Sequence, residues 1–89
     1  MEINCLLFGE IKAAVGSDSI VVNGLQVDSE GKASSKEVLQ KLQQILPRNV
    51  AALVESSALA VNSEYVSLEE PIQISSSDEV ALIPPVSGG

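Results

Sequence analysis

The last six residues, Pro84-Pro85-Val86-Ser87-Gly88-Gly89, could do chemistry through the main chain rather than through a side chain. Two successive prolines lack amide donors and fix φ, so they end sheet pairing and direct the chain outward. The two glycines lack a Cβ, so the final peptide units fit a narrow channel and leave the carboxylate of Gly89 open to attack. Six extended residues reach roughly 20 Å. The sequence therefore predicts a tail over residues 84–89 with a reactive terminal carboxylate; a frayed, inert end is the alternative.

The residue types that the chain lacks narrow the remaining chemistry. The 89 residues include no histidine, the side chain most often used as a general base near neutral pH and as a metal ligand. The single cysteine, Cys5, can form neither an internal disulfide nor a zinc cluster, and its apolar surroundings in sequence predict a structural role. We therefore expect no metal site and no nucleophilic side chain.

The charge balance restricts the partners. Twelve acidic residues face five basic ones, for a net charge of −7, and the aromatic residues are Phe8 and Tyr65. Phosphate backbones attract Lys and Arg, and nucleobases stack on aromatic rings, so nucleic acid is excluded as a partner. An acidic surface suits basic protein partners, or serves solubility alone. Short apolar runs and a start at Met1–Asn4 without basic residues predict a cytoplasmic location with no membrane contact.

Two strands and a short helix are predicted at the start of the chain. The apolar run Ile3–Phe8 is typical of a strand. Residues 10–15 can form one or two helical turns that end at Gly16. The β-branched run 20–22 precedes an Asn-Gly turn signal, which indicates a second strand and a reversal. These elements predict a hairpin with an elaborated connection.

The clearest helical periodicity lies between residues 34 and 47. Ser34 precedes Glu37 by three residues, which is the spacing of a capping box, and Pro47 ends the helix. The apolar positions form one stripe that predicts a core-facing surface: Val38, Leu39, Leu42, Ile45 and Leu46. One such helix can cover one face of a sheet.

The remaining segments complete a mixed sheet. Residues 58–66 predict a strand, a tight turn at Asn62–Glu64 and a returning strand, and the last strand covers residues 80–83. Between them, Pro71 and the serine run at residues 75–77 mark irregular chain on either side of residues 72–74. The fold class is therefore α+β, with a β-grasp domain over residues 1–83 that has about four to five strands and one main helix on one face. The helix supplies the crossover that lets the first and last strands pair in parallel.

The second face of this sheet is predicted to be apolar as well. The first and last strands carry apolar residues at successive positions, in Cys5–Phe8 and Val80–Ile83, whereas a solvated face would alternate to polar residues. Such a face predicts an interface, and loops or the turns at residues 10–15 are the alternative cover. The candidate docking residues, each with core packing as its alternative, are Phe8, Leu82 and Ile83.

The residues from Asp78 to Gly89, with the sequence DEVALIPPVSGG, resemble the C-terminal signature of the molybdopterin synthase small subunit family. The apolar first strand before Glu10–Lys12, the stop at Val15–Gly16 and the hairpin residues 60–66 are similar to that family too. The resemblance spans nearly the whole chain. It implies the ubiquitin-like β-grasp fold with a C-terminal Gly-Gly tail.

The family resemblance also implies a chemistry for the tail. An E1-like adenylyltransferase uses ATP and magnesium to convert the terminal carboxylate, here that of Gly89, to an acyl-adenylate, and a sulfur donor displaces AMP to leave a thiocarboxylate. The family's large subunit uses that sulfur to build the dithiolene of molybdopterin, in a heterotetramer of two small and two large subunits. The resemblance implies no tightly bound cofactor and places the catalytic side chains on the large subunit. Pro84 and Pro85 would direct the tail, and Val86, Ser87 and Gly88 would thread the partner's channel.

Three other functions share parts of this pattern. A ubiquitin-like modifier would use Gly89 to form an isopeptide bond with a target lysine. A sulfur carrier of the thiamine pathway also ends in Gly-Gly, but such carriers are shorter and lack the Pro84-Pro85 segment. An interaction domain with an inert tail would carry no sulfur at all. The Pro-Pro-Val-Ser segment before the glycines favours the molybdopterin family.

Overall fold

The computed structural model of the chain describes residues 1–67 and 69–85. The helices and strands of these residues are β1 (Ile3–Leu7), α1 (Gly9–Val15), β2 (Ser19–Val22), β3 (Ala33–Ser34), α2 (Ser35–Ile45), α3 (Arg48–Val54), β4 (Ala58–Val61), β5 (Glu64–Val66), β6 (Gln73–Ile74) and β7 (Val80–Ile83). The described elements confirm the predicted α+β class.

A mixed sheet organises the described part of the chain. Its five strands lie in the order β2-β1-β7-β4-β5. As predicted, the first strand, β1, pairs antiparallel with β2 and parallel with the last strand, β7. The register places Leu7 opposite Leu82. The remaining neighbours are antiparallel. The short strands β3 and β6 pair separately in a two-stranded sheet.

The helices lie on one side of the five-stranded sheet. Alternate residues of the central strands, including Cys5, Leu7 and Leu82, are buried in one core with residues from all three described helices. The helix α2 supplies Val38 and Leu42, whereas Ile45, also predicted for the core, lies at the edge of the apolar stripe and is exposed. A stripe that faces the core is what an amphipathic helix on a sheet requires.

The predicted capping box of α2 forms only in part. The Ser34 hydroxyl accepts a hydrogen bond from the amide of Lys36, so Ser34 is the N-cap. The Glu37 carboxylate does not complete the box; it instead accepts a hydrogen bond of 2.7 Å from the amide of Gln26. Glu37 therefore ties the preceding loop to the helix, a role that the local spacing did not indicate.

The helix α3 was not among the predicted elements. It begins after Pro47, whose carbonyl accepts hydrogen bonds from the amides of Val50 and Ala51. Val50 and Val54, four residues apart, are buried in the core. Pro47 thus ends one helix and begins another, since a proline that cannot continue a helix suits the start of the next.

The turn between β4 and β5 is linked to the start of β7. Asn62 and Ser63 have φ values of 52° and 69°, as in the two-residue turns that favour hairpins. The Asn62 side chain donates to a carboxylate oxygen of Asp78 and accepts from the amide of Glu79. The other Asp78 oxygen accepts from the amide of Ser75. These hydrogen bonds lower the pKa of the Asp78 carboxyl, first through the Ser75 amide and then through Asn62.

No helix in the described residues is long and apolar enough to cross a membrane.

The Asp78 network predicts an acid-sensitive contribution to stability. The folded carboxyl has a lower pKa than the unfolded one, so its contribution is present above the unfolded value of about 3.9 and is lost as pH falls through the folded value. We expect the urea midpoint of Asp78→Asn to fall less than that of the wild type between pH 6 and pH 2.5. The control Glu79→Gln removes the adjacent carboxylate but keeps the network, and should show the full fall. Parallel profiles for Asp78→Asn and wild type would contradict the role of this carboxylate.

Candidate functional site

The tail leaves the sheet beside the end of the first strand. Because β1 and β7 are parallel and in register at Leu7 and Leu82, the residues that follow them meet at the same end of the sheet. Phe8 keeps an extended backbone, so it lies on the same face as Ile83, and Gly9 contacts Pro84. We call this group of four residues, Phe8, Gly9, Ile83 and Pro84, the tail base.

The described part of the predicted tail ends at Pro85. Pro84 is half-buried and Pro85 is exposed, so the described chain reaches the protein surface at Pro85. The residues Val86, Ser87, Gly88 and Gly89 lie outside the described residues, and their roles remain predictions.

The face of the sheet opposite the core is largely apolar, and we call it the open face. The register places Ala81 between Leu6 of β1 and Ala60 of β4, at the centre of this face. Tyr65 of the edge strand lies opposite Ala60 and is 75% exposed. The open face comprises the strand residues that alternate with the core positions: Asn4, Leu6, Ser19, Val21, Ala58, Ala60, Tyr65, Ala81 and Ile83.

The sheet face that the sequence predicted to be an interface is therefore the open face. The alternative cover by residues 10–15 is wrong, because α1 contacts α3 and buries Ile11 in the core on the helix side. Phe8, which is 46% exposed, adjoins the open face at the tail base. The exposed large apolar side chains on or beside this face, which are Phe8, Val21 and Tyr65, are typical of an interface.

One predicted docking residue has a different position. The side chain of Leu82 is fully buried in the core, so the prediction that it contributes to a docking surface is wrong. Strand alternation explains the error: Ile83 faces the open side, and its neighbour Leu82 must face the core. The same alternation could have identified Leu6, Val21 and Ala81, which the sequence argument did not single out.

Charged side chains are distributed unequally between the two sides of the sheet. None of the described strands carries a Lys or Arg, and the basic residues lie on the helices or in the loop before β3: Lys12, Lys32, Lys36, Lys41 and Arg48. Glu2 and Glu79 directly precede the parallel strands β1 and β7. These carboxylates therefore lie at the end of the sheet opposite the tail base, together with Asp78.

The side chains of the described residues offer little covalent chemistry. The Cys5 side chain is fully buried, and burial raises the pKa of its thiol to about 12, against a smaller lowering by a backbone hydrogen bond at Leu82. At neutral pH such a thiol is almost entirely protonated and is a poor nucleophile. In the same residues, no cluster of three or more His, Cys, Asp or Glu side chains could hold a metal ion.

The sheet order, the helices on one face and the parallel pairing of β1 with β7 define a ubiquitin-like β-grasp protein. The chain belongs to the ThiS family, whose family model matches residues 5–89. This match confirms the family resemblance that the terminal segment indicated.

Two relatives of this chain are both molybdopterin synthase sulfur carrier subunits. The chain is 44% identical over 84 residues to a molybdopterin synthase sulfur carrier subunit of Dictyostelium discoideum, with 94% of this chain and 92% of the relative covered. It is 34% identical over 90 residues to the molybdopterin synthase sulfur carrier subunit of Aedes aegypti, with 100% and 90% covered.

Solved structures share the fold. SAMP1 from Haloferax volcanii matches with a TM-score of 0.69 and 26% identity over 100% of both chains. Subunit 1 in the complex of subunits 1 and 2 of the molybdopterin-converting factor from Helicobacter pylori matches with a TM-score of 0.63 and 21% identity, again over 100% of both chains. At 21% identity, the match to the Helicobacter pylori subunit shows a shared fold only.

The environment of Cys5 predicts its reactivity. We expect the thiol of the folded protein to react with Ellman's reagent at pH 8 at least about a hundredfold more slowly than in urea, because the folded thiol is buried and protonated. The matched control is Cys5→Ala with Ala13→Cys, which moves the thiol to an exposed position of α1. That thiol should react at the same rate with and without urea. Fast labelling of Cys5 in the folded wild type would contradict its burial.

Proposed function

We propose that this chain is the sulfur-carrier small subunit of molybdopterin synthase. The observation that carries the proposal is the match over nearly the whole chain to two sulfur carrier subunits of that enzyme. The placement of the tail base supports it, because Pro84 directly follows the central strand β7 and Pro85 is exposed. A cytoplasmic location is part of the proposal.

Gly89 carries the sulfur in this proposal. Its carboxylate is a poor electrophile, so an E1-like adenylyltransferase transfers AMP from ATP, with magnesium, and releases pyrophosphate. A sulfur nucleophile then attacks the acyl carbon and AMP leaves, which yields the thiocarboxylate. The sulfur is ionised at neutral pH and is transferred in the partner's site, where two such sulfurs form the dithiolene. The buried Cys5 thiol supports this assignment, since it leaves the chain end as the better sulfur site.

The large subunit is the partner that binds the open face. An apolar face centred on Ala81 suits an apolar partner surface, and the acidic end with Glu2 and Glu79 suits basic side chains at its rim. Rim charges act mainly on the rate of encounter, so association should slow as ionic strength rises. The assembled enzyme is proposed to be a heterotetramer of two small and two large subunits.

Reconstitution with a molybdopterin synthase large subunit tests the function. Thiocarboxylated wild-type chain should convert the cyclic pterin precursor to molybdopterin, and the carboxylate form should not. Gly88→Val should abolish transfer, because a branched Cβ blocks a narrow channel, while the melting temperature stays within about 2 °C. No product from an intact, thiocarboxylated wild type would overturn the proposal. An equal loss of stability and transfer in Gly88→Val would contradict a tail that is independent of the core.

A charge at the centre of the open face should weaken docking. Ala81→Lys places an ammonium group between Leu6 and Ala60, where the complex would bury it without a partner. We expect the Kd for the large subunit to rise at least about tenfold, measured by calorimetry. The matched control is Ala52→Lys on the exposed surface of α3, on the helix side, and it should bind like the wild type. Equal affinities for the two variants would show that the partner binds elsewhere.

Conjugation to proteins is a second candidate function. It is favoured by the 26% identity to SAMP1 of Haloferax volcanii, a small archaeal modifier protein. Denaturing gels of cells that express the tagged chain would show a ladder of covalent adducts. Such a ladder, lost on deletion of Gly89, would establish conjugation; no ladder would leave the carrier function alone.

A further inference from the structure

Gly9 lies where the first strand ends and the tail begins its exit. Its φ is +56°, in the left-handed region that residues with a side chain rarely adopt. A Cβ on Gly9 would lie 2.8 Å from Cγ of Pro84 and 3.7 Å from Cδ of the same ring. The bare backbone of Gly9 is thus the surface on which the Pro84 ring lies.

Other glycines with positive φ do not have this contact. Gly16, at the other end of α1, has a φ of +78°, and a Cβ there would meet no atom of the described residues within 4 Å, its chain neighbours aside. Gly31 has the same φ and the same open surroundings in the described residues. A side chain at Gly16 or Gly31 would strain the backbone alone, whereas one at Gly9 would also displace the start of the tail.

We infer that Gly9 is a positioning residue for the tail: its missing side chain seats the Pro84 ring and so sets the direction in which the chain leaves the sheet. This inference rests on the proposed function. Proline has a closed ring and a fixed φ, so its Cγ can move away from a new Cβ only by a change of ring pucker and not by rotation about a side-chain bond. The part of the displacement that the pucker does not absorb passes into the backbone at Pro84, where the tail begins.

A misdirected tail should slow transfer without weakening docking. The open face contacts the partner through residues such as Ala81 and Tyr65, which Gly9 does not touch, so affinity for the partner is retained. Reacting atoms that are misplaced by about 1 Å can lose roughly a hundredfold in rate. The expected signature is a lower maximal rate at an unchanged half-saturating concentration.

The experiment uses full-length chains that already carry the thiocarboxylate, mixed with large subunit and pterin precursor. Initial rates are measured against the concentration of the small chain. We expect Gly9→Ala to lower the maximal rate at least about tenfold and to leave the half-saturating concentration within about twofold. The control Gly16→Ala, which adds comparable backbone strain on the same helix, should keep the wild-type maximal rate. If Gly9→Ala does not fold, Gly9→Asn supplies the same Cβ on a residue that tolerates positive φ.

Removal of the proline ring should make a side chain at residue 9 unimportant for transfer. Pro84→Ala deletes the Cγ and Cδ atoms, so it loses the seated ring and should itself lower the maximal rate. In that background a Cβ on Gly9 no longer meets the ring, so the double variant should have the maximal rate of Pro84→Ala together with the lower melting temperature of Gly9→Ala. Equal maximal rates for Gly9→Ala and Gly16→Ala, or losses in the two single variants that add in full in the double variant, would overturn the inference. An inactive wild type would instead overturn the proposed function.

Discussion

The parallel pairing of the first and last strands is the constraint on which the rest of the structure depends. Parallel neighbours end at the same edge of a sheet, so the register of Leu7 with Leu82 brings Phe8 beside Ile83 and Gly9 beside Pro84. The intervening chain must then supply a crossover, which the helices α2 and α3 provide. The crossover covers one face of the sheet, and the tail leaves from a rigid central strand.

Because the crossover covers one face of the sheet, the two faces differ in the residues that they carry. The helix side buries the core and carries the basic residues, whereas the open face has apolar side chains around Ala81 and no basic side chain on its described strands. Acidic residues such as Glu2 and Glu79 lie at the end of the sheet opposite the tail base. In the proposed function, the large subunit is attracted by the acidic end of the sheet, binds the open face by apolar contact and takes up the chain end beyond the tail base.

The folded domain lacks the two side chains most often used in enzyme acid-base and thiol chemistry, a histidine and a reactive cysteine. It offers no histidine, and its one thiol, that of Cys5, is buried and protonated at neutral pH. In the proposed function, the protonated Cys5 thiol therefore does not compete with the sulfur donor for the acyl-adenylate at Gly89. In the proposed function, the activating enzyme and the large subunit supply the catalytic groups, and this chain supplies the domain that they bind and a terminal segment of six residues that could extend over roughly 20 Å.

By itself the sequence determined the elements whose signals are local: the apolar strands, the stripe of α2, the turn at Asn62 and the Pro-Pro exit of the tail. Periodicity and turn chemistry act over a few residues, so they can be read without the fold. The tertiary structure alone decided that Leu82 faces the core, that Glu37 bonds the amide of Gln26, and that Gly9 receives Pro84. These relations depend on strand register and on packing between residues far apart in the chain, and no local pattern encodes the distance between them.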